Sequence, residues 1–157
     1  MRTKSGYKLF SLMSITLPIL LVAAGCSSSG GSNSVDALIT KTAMLTGTQE
    51  VPAVTNTTAT GSGTFIVNPK TRAISGSVTT KGLTGTVAHI HTGVTGVSGP
   101  PVVMLAETTT GSGIWEVPTG TVLSIVNYEL FLNGGLYVNV HSNANPKGEI
   151  RGQILVQ

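Results

Sequence analysis

Short runs of alternating apolar and polar residues recur from residue 35 to the end of the chain, and turn residues separate them. Alternation with a period of two places successive side chains on opposite faces of a β-strand. The runs are rich in Thr, Val and Ile, and Gly, Pro or Asn lies between them, which is typical of short strands. The pattern predicts strands within the ranges 37–45, 63–67, 73–79, 86–91, 101–107, 113–117, 136–141 and 149–156.

The connections between these segments favour antiparallel pairing. Asn68-Pro69-Lys70-Thr71-Arg72 has the composition of a tight turn, because Pro presets φ and Asn can bond its own backbone. Only Val122 to Leu132 has the apolar spacing of a helix, and Asn133-Gly134-Gly135 follows it as a stop signal. We therefore predict an all-β fold, an antiparallel Greek-key-like β-sandwich of about eight strands with at most one short helix.

The first 25 residues have a different composition. A basic start precedes an apolar run from Leu9 to Ala24 that is shorter than the ~20 apolar residues of a membrane-spanning helix. This order predicts a signal peptide over residues 1–25. Its basic residues are Arg2, Lys4 and Lys8.

Ala23-Ala24-Gly25-Cys26 resembles the lipobox of bacterial lipoproteins, in which the cysteine carries the lipid. Cys26 is the only cysteine, and lipid attachment would explain an unpaired thiol in an oxidising compartment. The alternative is an ordinary secretory signal with an incidental thiol. On the lipoprotein prediction, residues 26–36 are the lipidated Cys and a flexible Ser/Gly/Asn tether. The prediction is an exported protein anchored in the bacterial membrane, the outer one where the cell has two, facing the periplasm or the cell surface.

The net charge of +3 comes from the predicted signal peptide. Without its three basic residues, the chain has six basic and six acidic residues and is neutral. A basic patch that could attract phosphates is therefore not predicted, which argues against nucleic acid as a partner.

Two of the three histidines, His89 and His91, are two residues apart in a predicted strand. Their Cα atoms would lie roughly 6.6–7 Å apart on one face. His141 closes another predicted strand, on the face that also carries Tyr137 and Asn139. Three neutral imidazoles suit copper or zinc, so meeting faces would make a metal site with nitrogens roughly 3–4 Å apart. The alternative is three histidines that only bond backbone carbonyls.

Other polar residues allow further hypotheses. Glu149 and Arg151 share a strand face, and Glu50 lies where a loop begins, so Arg151 and a carboxylate would form an ion pair at the end of the domain. Alternatively, Glu149 or Glu50 would orient a ligand histidine. Asp36 is the only aspartate, and it lies in the tether, so no Ser-His-Asp arrangement is predicted. The sequence therefore predicts no catalytic residues.

Four motifs in order resemble the chordin-type (CHRD) domain over about residues 37–156. They are Leu45-Thr46-Gly47-Thr48-Gln49-Glu50-Val51-Pro52, Ala88-His89-Ile90-His91 with Gly93, Gly96, Gly99 and Pro100, Leu136-Tyr137-Val138-Asn139-Val140-His141-Ser142, and Asn145-Pro146-Lys147-Gly148-Glu149-Ile150-Arg151-Gly152-Gln153. The resemblance implies a β-sandwich domain over residues 37–157 with no established catalysis. It indicates a non-enzymatic binding or structural module, and the sequence does not identify the protein or surface polymer that the module would bind.

A looser resemblance is to the copper-zinc superoxide dismutases, in which a His-x-His strand precedes a glycine-rich loop. His89, His91 and the loop from Gly93 to Pro100 are similar to that arrangement, but the histidine cluster of the zinc site is missing. The resemblance implies a second hypothesis, a copper- or zinc-binding metalloprotein with a redox or metal-handling role.

Overall fold

Eight β-strands and one α-helix form the fold in the computed structural model, which describes residues 37–156. The predicted signal peptide, Cys26 and the tether lie outside the described residues. The strands are β1 (Ile39–Thr46), β2 (Thr60–Val67), β3 (Ile74–Lys81), β4 (Gly85–Thr92), β5 (Pro101–Glu107), β6 (Ile114–Glu116), β7 (Leu136–Ser142) and β8 (Ile150–Gln153); the helix is α1 (Ile125–Leu132), and a 3₁₀ turn spans Gly47–Gln49.

The eight strands close into a barrel in the order β1-β2-β3-β6-β5-β4-β7-β8, and every pair is antiparallel. β7 lies beside β4, the first strand of the β4-β5-β6 meander, which is a Greek-key connection. The predicted sandwich is wrong in one respect. β1 pairs with β8 and β3 with β6, so the two halves join into one sheet. Alternation predicts which face of a strand is buried but contains no information on which strand edges pair.

Inward-facing side chains fill the barrel. Large apolar residues from β2, β3, β4, β7 and β8 are fully buried in a single core, as expected for eight strands, whose interior is just wide enough for side chains. Trp115 of β6 and Phe131 of α1 complete this core. The fully buried strand residues include Phe65, Val67, Val78, Ala88, Ile90, Val138, Val140 and Ile150.

Local sequence determines the β2-β3 hairpin and the ends of the helix. In the hairpin, the Asn68 side chain accepts hydrogen bonds from the backbone N–H groups of Lys70 and Thr71, as the turn composition predicts. The helix begins three residues later than predicted, because the Ser124 side chain caps it by accepting a hydrogen bond from Asn127 N. At its other end, the buried Lys41 of β1 donates to the Leu132 carbonyl. Within residues 37–156, no helix has the length and apolar character needed to span a membrane.

Candidate metal centre

β4 and β7 are neighbours in the barrel, and their outer faces carry all three histidines. Their register pairs Ile90 with Val138 and Ala88 with Val140, and these residues point into the core. Alternation then turns the other residues outward. On the outer face, His89 of β4 is opposite Asn139 of β7, and His91 is opposite Tyr137. His141 lies two residues beyond Asn139 on the same face of β7.

The three histidines converge. One potential ligand atom of each ring lies within 4.8 Å of those of the other two, and His89 Nδ1 is 3.3 Å from His141 Nε2. The ring centre of His89 lies 5.4 Å from that of His91 and 5.3 Å from that of His141. The structure thus brings together the residues that the sequence proposed. The His89–His141 distance falls within the expected 3–4 Å, and the 4.8 Å limit for all three nitrogens is wider than that range.

Two backbone carbonyls orient the rings. His91 Nδ1 lies 2.9 Å from Gly99 O, and His141 Nδ1 lies 3.0 Å from Pro146 O. Because a carbonyl only accepts, Nδ1 of each ring carries the proton, and Nε2 of the neutral ring has a lone pair. His91 Nε2 is buried and no hydrogen bond of good geometry reaches it within residues 37–156, although the Asn139 side chain is close enough to favour the charged ring. A buried unpaired nitrogen costs free energy, and an ion would remove that cost.

The surroundings favour neutral rings. Burial lowers the pKa of His89, and repulsion from charged His141 and His91 lowers it further. Burial likewise lowers the pKa of His91, and the charges of His141 and Arg151 lower it further, although hydrogen bonds to Gly99 and to the Asn139 side chain act in the opposite direction. Neutral imidazole is the form that binds a metal ion.

A loop from Gly93 to Pro100 covers the site and is held by Arg151. Arg151 Nη2 donates to the carbonyls of Val94 and Val97, each at 3.0 Å, and its guanidinium lies 3.5 Å above the Tyr137 ring. Tyr137 in turn stacks on His91, with ring centres 5.0 Å apart and planes at 12°. The loop, the arginine and the tyrosine therefore support one ligand ring.

The predicted ion pair between Glu149 and Arg151 does not form. Glu149 instead accepts hydrogen bonds from Thr57 and Ser142. Backbone carbonyls bond Nδ1 of His91 and of His141. The Asn139 side chain lies within reach of both Glu50 and His91, so the alternative in which Glu50 orients a histidine stays a prediction. Glu50 is buried beside Asn139, and burial raises its pKa, while Asn139 and the charge of Arg151 act against that rise.

Sequence reasoning missed the roles of the residues that support the candidate ligands. Gly99 and Pro146 act through backbone carbonyls, which no side-chain pattern reveals. Tyr137 had a usable signal, since alternation placed it on the face of His141. Arg151 had none, because its partners are backbone atoms more than 50 residues earlier in the chain.

The fold and the site define a class of protein, a Greek-key β-barrel with a three-histidine candidate metal centre on its outer face. The chain belongs to the CHRD domain family, whose model matches residues 41–154. Searches of curated proteins and of solved structures give no significant match. The resemblance to the copper-zinc superoxide dismutases therefore stays a hypothesis.

Proposed function

We propose that this CHRD domain is a metal-binding module and that His89, His91 and His141 hold a copper or zinc ion. Membership of the family indicates a binding or structural module, and the geometry supports a metal ion as the ligand. The single observation that carries the proposal is the convergence of the three rings, each of which places a potential ligand nitrogen within 4.8 Å of those of the other two.

The donor atoms follow from the hydrogen bonds. His91 and His141 would bind through Nε2, since Nδ1 of each ring is held by a carbonyl. His89 and His141 are both partly exposed, so an ion could enter from solvent on their side of the site. Three imidazoles leave one coordination position for a further ligand, as in tetrahedral zinc sites that are not closed by protein.

Metal analysis of the full chain, purified without a His-tag, tests the proposal. We expect one copper or zinc ion per chain in the wild type and none in His91→Ala. The matched control is Thr86→Ala, an exposed position on the same strand, which should keep the ion. Far-ultraviolet circular dichroism should show a folded barrel in all three proteins. A metal-free wild type, or full metal content in His91→Ala, would contradict the proposal.

We also propose that the module is exported and anchored to the membrane by lipid on Cys26. The support is the sequence Ala23-Ala24-Gly25-Cys26 after an apolar run. Acyl chains contribute roughly 0.8 kcal/mol per buried CH₂, and stable anchoring takes more than one chain. The Cys26→Ser variant should leave the detergent-requiring membrane fraction, whereas Ser27→Ala should stay there. Retention of Cys26→Ser in that fraction would refute the lipid anchor.

A further inference from the structure

The charge of the candidate centre distinguishes between the metals that three histidines can bind. Among the described residues, the cluster of potential ligands contains three histidines and neither a carboxylate nor a thiol. All three donors are neutral, so they cancel none of the charge of a bound ion. A divalent ion keeps its full +2 charge in such a site, and a monovalent ion keeps only +1.

A buried cation lies next to this neutral donor set. Arg151 is 2% exposed, and its Nη1 atom has no hydrogen-bond partner in the described part of the chain. Within residues 37–156, no carboxylate is at ion-pair distance from Arg151; Glu50, which is buried beside Asn139, attracts the guanidinium from further away. The Tyr137 ring lies between the guanidinium and His91, and both groups stack on it. Because like charges repel more strongly in a low dielectric, Arg151 penalises a divalent ion more than a monovalent one, and the buried Glu50 offsets part of that penalty.

A soft donor lies on the other side of the site. In the β4-β5 ladder, Met104 is directly opposite His89. Val103 and Leu105, its neighbours on β5, point into the core, so the Met104 side chain shares the outer face with His89. Directly opposed residues have Cβ atoms ~4.5–5.5 Å apart, within reach of a long side chain. Met104 is 65% exposed, so core packing does not hold its thioether away from the site.

We propose that the centre selects monovalent copper and that the Met104 thioether supplies its fourth, soft ligand. The inference rests on the proposed metal-binding function and names the ion. Imidazole binds zinc and copper alike, whereas a thioether favours Cu(I). A neutral set of three nitrogens and one sulfur, beside a buried guanidinium, matches a monovalent soft ion in both charge and donor type.

Competition with chromophoric chelators tests this inference on the full chain in detergent, anaerobically for Cu(I) and separately for Zn(II). We expect Cu(I) to bind about 100-fold or more tightly than Zn(II). Met104→Leu should weaken Cu(I) about tenfold and leave Zn(II) unchanged, because it removes the sulfur and keeps the size. The matched control is Met44→Leu, since Met44 is 59% exposed on the outer face of β1 and should affect neither ion.

The outcomes separate this inference from the function on which it rests. Stoichiometric binding of zinc with an affinity equal to or above that for Cu(I) would overturn the selectivity and leave the metal-binding function standing. Equal Cu(I) affinities of Met104→Leu and Met44→Leu would overturn the role of the thioether. Failure of the wild type to bind either ion would overturn the proposed function itself, and this inference with it.

Discussion

His89 Nδ1 lies 3.3 Å from His141 Nε2, although 52 residues separate the two in the chain. His141 Nδ1 donates to the Pro146 carbonyl, so Nε2 is the acceptor and His89 the donor. This contact joins β4 to β7 through their outer faces. These two candidate ligands are partly exposed, whereas His91, whose ring centre lies 6.4 Å from that of His141, is buried.

Acid should destabilise the metal-free fold through His89 and His91. Burial lowers the pKa of both below the value of about 6.5 of the unfolded chain. Between the folded and unfolded pKa values the unfolded chain binds more protons, so this stability is complete above pH ~6.5 and is lost as the pH falls. Urea unfolding from about pH 7 to pH 5, with metal removed by a chelator, measures the effect.

The control for this pH dependence is the double variant His89→Gln/His91→Gln, which should lose less stability between the same pH values. The comparison is needed because Glu50 acts in the opposite direction. Burial raises its pKa, so its contribution to the free energy of unfolding falls as the pH rises. Parallel pH curves for the wild type and the double variant would contradict the role of the histidines.

Gly99→Ala should weaken metal binding. A Cβ atom at Gly99 would collide with the carbonyl oxygen of Thr92, so the loop must move and carry with it the carbonyl that orients His91. We expect a loss of about tenfold or more in metal affinity, as for other residues that orient ligand histidines. The measurement is the same chelator competition.

The matched control for Gly99 lies in the same loop. Gly96 has a φ of 80°, and no atom of the described residues lies within 4 Å of the place that a Cβ would take, so Gly96→Ala strains the loop without a collision. It should keep most of the metal affinity. An equal loss of affinity in both variants would show that loop strain, and not the Gly99 carbonyl, controls binding.

Arg151→Met should destabilise the fold and release the covering loop. The variant removes hydrogen bonds to two loop carbonyls and leaves them unpaired, which costs about 2–4 kcal/mol. The free energy of unfolding in urea measures the loss, and hydrogen exchange should speed up in residues 93–100. Arg72→Met is the control, because the Arg72 side chain donates one bond to a carbonyl in a partly exposed setting and should cost about 1 kcal/mol. If both variants lost the same free energy of unfolding, the prediction that Arg151 holds the loop would be contradicted.

Gly152→Val should open the barrel where β1 meets β8. A Cβ atom at Gly152 would lie 2.5 Å from the Met44 carbonyl oxygen and 2.9 Å from its carbon, so a side chain has no room between the strands. We expect a loss of at least about 1–3 kcal/mol in the free energy of unfolding. The control is Gly111→Ala at an exposed position, where a Cβ would meet no described atom within 4 Å. A Gly152→Val variant as stable as this control would contradict the closure of the barrel.

The sequence by itself determined the local parts of the structure. Alternation located eight strands and the face of each histidine, because the side-chain period of a strand depends only on the residue's own position. The hairpin around Asn68 and the helix before Gly134 followed from turn and cap chemistry that acts within a few residues. The predicted boundaries differed from the observed ones by a few residues; the helix, for example, begins only after its cap at Ser124.

Only the tertiary structure decided how these parts meet. The pairing of β1 with β8 converts the expected sandwich into a closed barrel, and the register of β4 on β7 brings His141 to His89. Arg151 likewise finds its carbonyl partners in a loop far earlier in the chain. Strand neighbours and register are set by packing and hydrogen bonds between distant segments, and a period-two pattern is the same for every choice of partner.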